Sequence, residues 1–216
     1  MIDLHTHSLI SDGVLLPTEL ARRAVVKGYS VLAITDHADE SNVQSALRAL
    51  VKVARELNKS LDMLVIPGVE LTHIPPAQIP RLVKRARSLG ARIVVGHGES
   101  PVEPVAPGTN LAFIKAGVDI LAHPGLVAPD ECALAAKNGV HFEITSRGGH
   151  SLTNGHVASM AKEFGVKMLL NSDSHAPGDL LTEEMSGKVL LGAGLDKIEI
   201  EKIRENAKKL IKKIRV

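Results

Sequence analysis

The chain has 216 residues, a formal net charge of +2, and only three phenylalanines, one tyrosine and no tryptophan. So small a charge makes no electrostatic case for a nucleic-acid partner, and so few rings leave little material for the platforms on which single-stranded bases stack. No run approaches the ~18 apolar residues of a membrane span, the start lacks a signal peptide's pattern, and Cys132 is alone, so the expectation is one disulfide-free cytoplasmic domain over residues 1–216, single α/β barrels commonly running ~250 residues.

Residues 1–7 read as a strand in which Asp3, His5 and His7 face one way and Ile2, Leu4 and Thr6 the other. Residues 17–27 read as a helix, with Pro17 near its start and Gly28 just past its end. Residues 31–34 are wholly apolar, as suits a parallel strand buried on both faces. The alternation continues with a helix over 41–58, a strand over 64–70, a helix over 80–89 stopped by Gly90, and a strand over 92–95. Helices over 109–116, 130–138 and 155–164 then separate strands over 119–122, 140–144 and 167–170. Cys132 falls on one of these helices, where a small buried hydrophobe is expected. A last segment, 198–215, lines up Ile200, Ile203, Ala207, Leu210, Ile211 and Ile214 on one helical stripe and covers much of the rest with lysine and arginine. It is expected to close or cover the barrel as an amphipathic helix, a nucleic-acid or partner contact being the sharper alternative.

Seven strands alternating with helices argue for an α/β fold with a parallel sheet. The reactive residues decide between closed and open versions. His5 and His7 fall at the end of the first strand, Asp36 and His37 at the second, Glu70 at the third, His97 at the fourth, His123 at the fifth, and Asp173 and His175 at the seventh. A closed parallel barrel gathers the carboxyl ends of all its strands on one rim, whereas an open sheet gathers ligands at one switch point. The distribution therefore favours a distorted (β/α)7 TIM-like barrel.

With Asp12, from Ser11-Asp12-Gly13, the candidate set is His5, His7, Asp12, His37, Glu70, His97, His123, Asp173 and His175. One ion takes about four to six ligands, so this set implies two or three divalent ions sharing a bridging carboxylate, for which Glu70, midway in the series, is the choice. Mixed imidazole and carboxylate ligation suits Zn, Mn or Fe rather than Ca or Mg. Closely spaced ions polarise a phosphoryl oxygen, make hydroxide available near neutral pH and stabilise the leaving oxygen, which favours a phosphate ester as substrate. Arg147, in a loop with Gly148 and Gly149, offers the planar fork that matches phosphate oxygens.

Around this set stand residues with plainer readings. Asp36 faces away from His37 and is expected to support ligands or structure rather than to bind metal. Asp3 lies deeper, and a buried hydrogen bond is its expected use. His141 opens a strand and reads as structural. His73, Glu99, His150 and His156 lie beyond strand ends, where each is a candidate proton donor to the leaving group.

The combined motifs resemble those of the polymerase and histidinol phosphatase (PHP) family. His5-Thr6-His7 with Ser11-Asp12-Gly13 is similar to its first motif, Thr35-Asp36-His37 to its second, and Pro67-Gly68-Val69-Glu70 to its glutamate motif. His97 and His123 match its middle histidines, and Asn171-Ser172-Asp173-Ser174-His175 its last motif. The resemblance implies a distorted seven-stranded barrel with a trinuclear site. It would place one ion on His5, His7, Glu70 and Asp173, a second on Glu70, His97 and His123, and a third on Asp12, His37 and His175.

The reading that follows is a metal-dependent phosphomonoesterase acting on a small phosphorylated substrate such as a histidinol, sugar or nucleotide phosphate. A 3′-to-5′ exonuclease or other nucleic-acid phosphodiesterase is the alternative, supported by the basic final helix and opposed by the scarcity of aromatics. A non-catalytic RNA-binding barrel subunit fits poorly with an intact ligand set. An amidohydrolase would share the first histidine pair and the last aspartate but have no use for Asp12, His37 and His175.

Overall fold

In the computed structural model, which describes residues 1–214, parallel strands alternate with helices in a nearly closed barrel. The strands are β1 (Ile2–Asp3), β2 (Val31–Ile34), β3 (His37–Ala38), β4 (Leu64–Leu71), β5 (Ile93–Glu99), β6 (Ile120–Gly125), β7 (His141–Thr145) and β8 (Met168–Asn171). The helices are α1 (Pro17–Val26), α2 (Val43–Leu57), α3 (Ile79–Ser88), α4 (Thr109–Ala116), α5 (Pro129–Asn138), α6 (Asn154–Phe164), α7 (Glu183–Gly192) and α8 (Lys197–Ile214). Neighbours in the sheet run β1-β2-β4-β5-β6-β7-β8, with the two-residue β3 paired to β4.

The seam between β1 and β8 is held by a different set of bonds from the ladders elsewhere. Asn171 accepts from the Leu4 N–H through its side chain at 2.9 Å, and the Asp3 carboxylate accepts from the Ser172 N–H. Beyond the strands, the Asp173 N–H donates to the His5 carbonyl and the His7 N–H to the Ser174 carbonyl. Barrel closure therefore fixes the two segments richest in candidate ligands against each other.

Two apolar layers give this arrangement its stability. Outside the sheet, the helices bury Leu47, Ile79, Leu82, Phe113, Phe142 and Val157, among others. Inside the barrel, Leu4, Val31, Ala33, Ile66, Ile93, Val95, Ile120, Ala122 and Leu169 form a separate cluster, capped by Leu210 of α8. Each Leu or Ile so buried contributes roughly 1.5–3 kcal/mol relative to leaving it exposed. Ile200, Ile203 and Leu210 are buried along α8, and Ala207, Ile211 and Ile214 pack partly against the inner cluster, as the apolar stripe requires. Asn206 donates to the carbonyl of Met168, the first residue of β8, so α8 lies across the strand starts. Arg215, included in the helix expected from sequence, lies outside the described residues.

Several elements differ from expectation. Strand β1 ends at Asp3, so His5 and His7 sit on extended chain beyond it, with only Thr6 bridging to Ser174. Helix α7 has no counterpart in the sequence reading, because Ser186 and Gly187 interrupt its apolar pattern; Thr182 caps it by accepting from the Met185 N–H. Strands β5 and β6 run past the expected ends and carry His97 and His123 with them. Their register shifts between His97 and Glu99, where Gly125, at φ 71, meets the Glu99 carbonyl so closely that no β-carbon would fit.

Candidate metal centre

The first histidine pair is placed by the residue between them. Thr6 turns away from the rim, donating its hydroxyl to the Ala33 carbonyl at 2.7 Å, so His5 and His7 both face inward. Their Nε2 atoms approach to 3.1 Å. Asp12 is brought in by a loop folded around Asp36, whose carboxylate accepts from the N–H and hydroxyl groups of both Ser8 and Ser11. Gly13 lets that loop close, since a β-carbon there would sit 2.5 Å from the His7 carbonyl oxygen. His37 is set beside Glu70 by register, being its partner in the β3–β4 ladder.

Glu70 stands at the middle of the rim. Its Oε2 lies 2.7 Å from His37 Nδ1, 3.4 Å from His5 Nε2 and 3.6 Å from His7 Nε2, while Oε1 lies 3.4 Å from His123 Nε2. Asp173 Oδ1 reaches His7 at 3.2 Å and His5 at 3.8 Å. Asp12 Oδ1 lies 3.5 Å from His37 Nε2 and 3.3 Å from His175 Nε2. Among the described residues, ligand atoms fall within 4.8 Å of one another in five groups: His7, Asp12, His37 and His175; His5, His7 and Asp173; Glu70, His97 and His123; His73, His97 and Glu103; and His123, His150 and Asp173.

Ring tautomers follow from the outer hydrogen bonds. His5 Nδ1 lies 2.8 Å from Glu143 and His175 Nδ1 lies 2.9 Å from the Asp173 carbonyl. Both partners only accept, so each Nδ1 carries a proton, and it is the Nε2 lone pair that faces the centre once the ring is neutral. Glu143 is itself fixed by the Asn171 amide and the His123 N–H.

The electrostatics describe a centre short of positive charge. Burial lowers the His7 imidazole to about 4 against its bond to Asp173. Burial would likewise lower His5, but Glu143, Glu70 and Asp173 carry it well above the ordinary histidine value. His37 and His97 also end above that value, as Glu70 outweighs their burial. Burial would raise Glu70, yet His5, His97 and His37 hold it well below the usual carboxylate range. Asp173 is depressed in the same way by His5 and His7. Buried His7 Nδ1, Glu70 Oε1, His97 Nδ1 and His123 Nδ1 have no hydrogen-bond partner among the described residues. Two imidazole nitrogens facing at 3.1 Å, ringed by carboxylates and orphaned polar atoms, fit divalent cations far better than they fit one another. Among the described residues, the three non-glycine residues with positive φ, His73, His123 and Asp173, all lie on this rim, where strain is held by the surrounding packing.

The other residues singled out in sequence are placed as follows. Arg147 extends beside the last strand, its Nη1 3.4 Å from Asp179, whose carboxylate accepts from the N–H groups of His175 and Ala176. His150 stacks on His123 with centroids 4.2 Å apart and pairs its Nδ1 with the Ser100 hydroxyl. His73 and His97 both bond Glu103. Glu99 is occupied by the Asn110 N–H at the start of α4, and His156 by the Val127 carbonyl, so neither belongs to a ligand group. His141 bonds the Asp119 carbonyl at the far end of β7, and Cys132 is buried. Asp3, bonded to Ser172, is pushed by burial to about 6.

Sequence reasoning passed over Glu143 and Glu103. The first had a signal: β7 was the one strand assigned no reactive residue, and its His-Phe-Glu-Ile-Thr carries a carboxylate in a wholly buried strand. Glu103, on a proline-rich loop, had none.

The PHP domain matches residues 3–214 of this chain. The chain is 50% identical over 215 residues to the uncharacterized protein MJ1295 of Methanocaldococcus jannaschii, covering 98% of this chain and 99% of that one. It is 28% identical over 240 residues to a probable phosphatase of Thermoanaerobacter sp. strain X514, covering 99% and 97%. Among solved structures it resembles a chain of archaeal ribonuclease P bound to mature tRNA (TM-score 0.71, 17% identity, covering 99% and 91%). It also resembles a histidinol phosphate phosphatase of Lactococcus lactis with zinc, L-histidinol and phosphate (TM-score 0.57, 16% identity, covering 97% and 93%). At those identities the structural likenesses speak to the barrel alone. The match along nearly the whole length, on a rim that gathers imidazoles and carboxylates around one glutamate, places the chain in the PHP domain family.

Proposed function

We propose that this member of a metal-dependent phosphoesterase family is a phosphomonoesterase for a small phosphorylated substrate, working through two or three divalent ions of the Zn, Mn or Fe kind. The observation that carries the reading is the convergence on Glu70 of inward-facing imidazoles whose outer nitrogens are fixed or orphaned. In the proposed assignment, His5, His7, Glu70 and Asp173 hold one ion, Glu70, His97 and His123 a second, and Asp12, His37 and His175 a third. Such ions, when bound, polarise phosphoryl oxygens and lower the pKa of water. The chain supplies the rest. Glu143 holds His5 by Nδ1 and Asp36 holds the loop that presents Asp12, so both act by positioning. Arg147 and Ser146 lie with Asp179, Leu181, Met185 and Val189 around a cleft of about 460 Å³, sized for a small molecule. That cleft holds none of the rim ligands, so in this reading the guanidinium leaves its long contact to Asp179 and turns toward the rim to meet the oxygens of a phosphate monoester held there.

A polynucleotide substrate is the weaker reading, because the basic helix that would favour it, α8, crosses the strand starts and cannot guide a strand to the rim. The test is to strip metal with chelator, restore Zn or Mn, and assay sugar, nucleotide and amino-alcohol phosphates beside end-labelled DNA and RNA. Metal-dependent release of phosphate from a small monoester is expected. Activity indifferent to metal, or confined to the polynucleotides, contradicts the proposal.

A further inference from the structure

One cluster of metal-competent side chains on the rim reaches beyond the three proposed ligand sets and shares His97 with the second of them. Glu103, in the loop from β5 to α4, places Oε2 3.1 Å from both His73 Nε2 and His97 Nε2, and Oε1 3.4 Å from His150 Nε2. The histidines come from three separate segments, and every ion-pair partner of Glu103 among the described residues is a histidine. The Glu103 loop is stiffened by Pro101, Pro104 and Pro107, which fix φ at three positions. His73 is kept at φ 52, in the left-handed region that non-glycine residues rarely adopt.

The cluster spans the boundary between solvent and the buried centre. The side chains of His73 and Glu103 are 43% and 34% exposed, whereas that of His97 is 2% exposed. His97 belongs to two groups at once, the outer one with His73 and Glu103 and the inner one with Glu70 and His123. A neutral imidazole has a single lone pair, so the ring serves one ion at a time. Two ions held permanently in the two groups would compete for it; one ion passing between them would not.

Resting on the reading of the rim as a metal centre, we propose that His73, Glu103 and His97 form an entry position for a divalent cation. From there His97 hands the ion to the inner position with Glu70 and His123. The nitrogen and carboxylate donors select the same borderline metals as the inner sets, and the carboxylate at the mouth raises the local cation concentration.

The experiment is metal uptake by chelator-stripped protein, with cobalt(II) as the probe, followed by its absorbance in stopped flow, and with final content measured by elemental analysis. Wild type, Glu103→Gln and His73→Gln are compared, with Glu56→Gln, at an exposed position of α2, as the charge control. Uptake by the two rim variants is expected to slow by about tenfold or more, while the control loads as wild type does. Final content is expected to be equal in all four. Equal uptake rates overturn the proposal, and so does a rim variant that ends with fewer ions, because Glu103 or His73 would then be a resident ligand. Wild type that binds no cobalt overturns the metal centre as well, which separates failure of this inference from failure of the reading beneath it.

Discussion

At the base of the barrel, Leu210 of α8 closes an apolar cluster with Leu4, Val31, Ile66, Ile93, Ile120 and Leu169. At the rim, the same strands or their continuations deliver His5, Glu70, His97, His123 and Asp173, buried as deeply and surrounded by orphaned atoms and left-handed backbone. Burial at the base is favourable in itself, because it removes hydrocarbon from water. Burial at the rim is costly until a partner outside the chain answers the carboxylates and lone pairs. On the proposed function the base therefore accounts for stability and the rim for chemistry, and each end should yield to substitution without disabling the other.

The largest effect is expected from Glu70→Gln, which removes the charge that His5, His7, His37 and His123 face. We expect kcat/KM on the preferred monoester to fall roughly 1000-fold, equivalent to about 4 kcal/mol, with loss of bound metal in elemental analysis. An unchanged rate would place the chemistry elsewhere. The counterpart is Leu210→Ala, expected to cost about 2–5 kcal/mol in urea unfolding while metal content stays at the wild-type level. Metal loss in the folded variant would show that the two ends are not separable.

A finer probe is Glu143→Gln, which gives the His123 N–H a donor where it had an acceptor and weakens the hold on His5. Metal affinity should drop about 10–100-fold with little change in fold, read by competition against a chelator. The smallest effect per step is that of pH. His5, His37 and His97 are raised, so protons stay on these rings at pH values where free imidazole is neutral, and each must leave before a cation binds. Affinity is thus expected to rise with pH through neutrality, by at least about tenfold per unit, and to fall below it. A flat profile between pH 6 and 8 would remove these histidines from the ligand set.

How far the sequence revealed these two ends follows from what kind of signal each carries. Strand and helix alternation was legible because wholly apolar runs such as residues 31–34 have no other stable use than a sheet buried on both faces. The rim was legible because a closed barrel converts recurring histidines into neighbours. Strand ends were less so: hydrophobicity stops before His97 and His123, but the ladder continues through them, since side-chain partners at the rim replace apolar packing. Helix α7 was missed because Ser186 and Gly187 hide its pattern. Glu103 was beyond reach, as its approach to three histidines depends on a loop path that no periodicity encodes.

The most direct test of the rim as a metal centre is anomalous diffraction at the absorption edge of the bound metal, from crystals grown with Zn or Mn. The account predicts two or three peaks within the groups that share or adjoin Glu70, each enclosed by imidazole and carboxylate atoms. A rim without peaks, or metal bound only at surface sites away from Glu70, would contradict it.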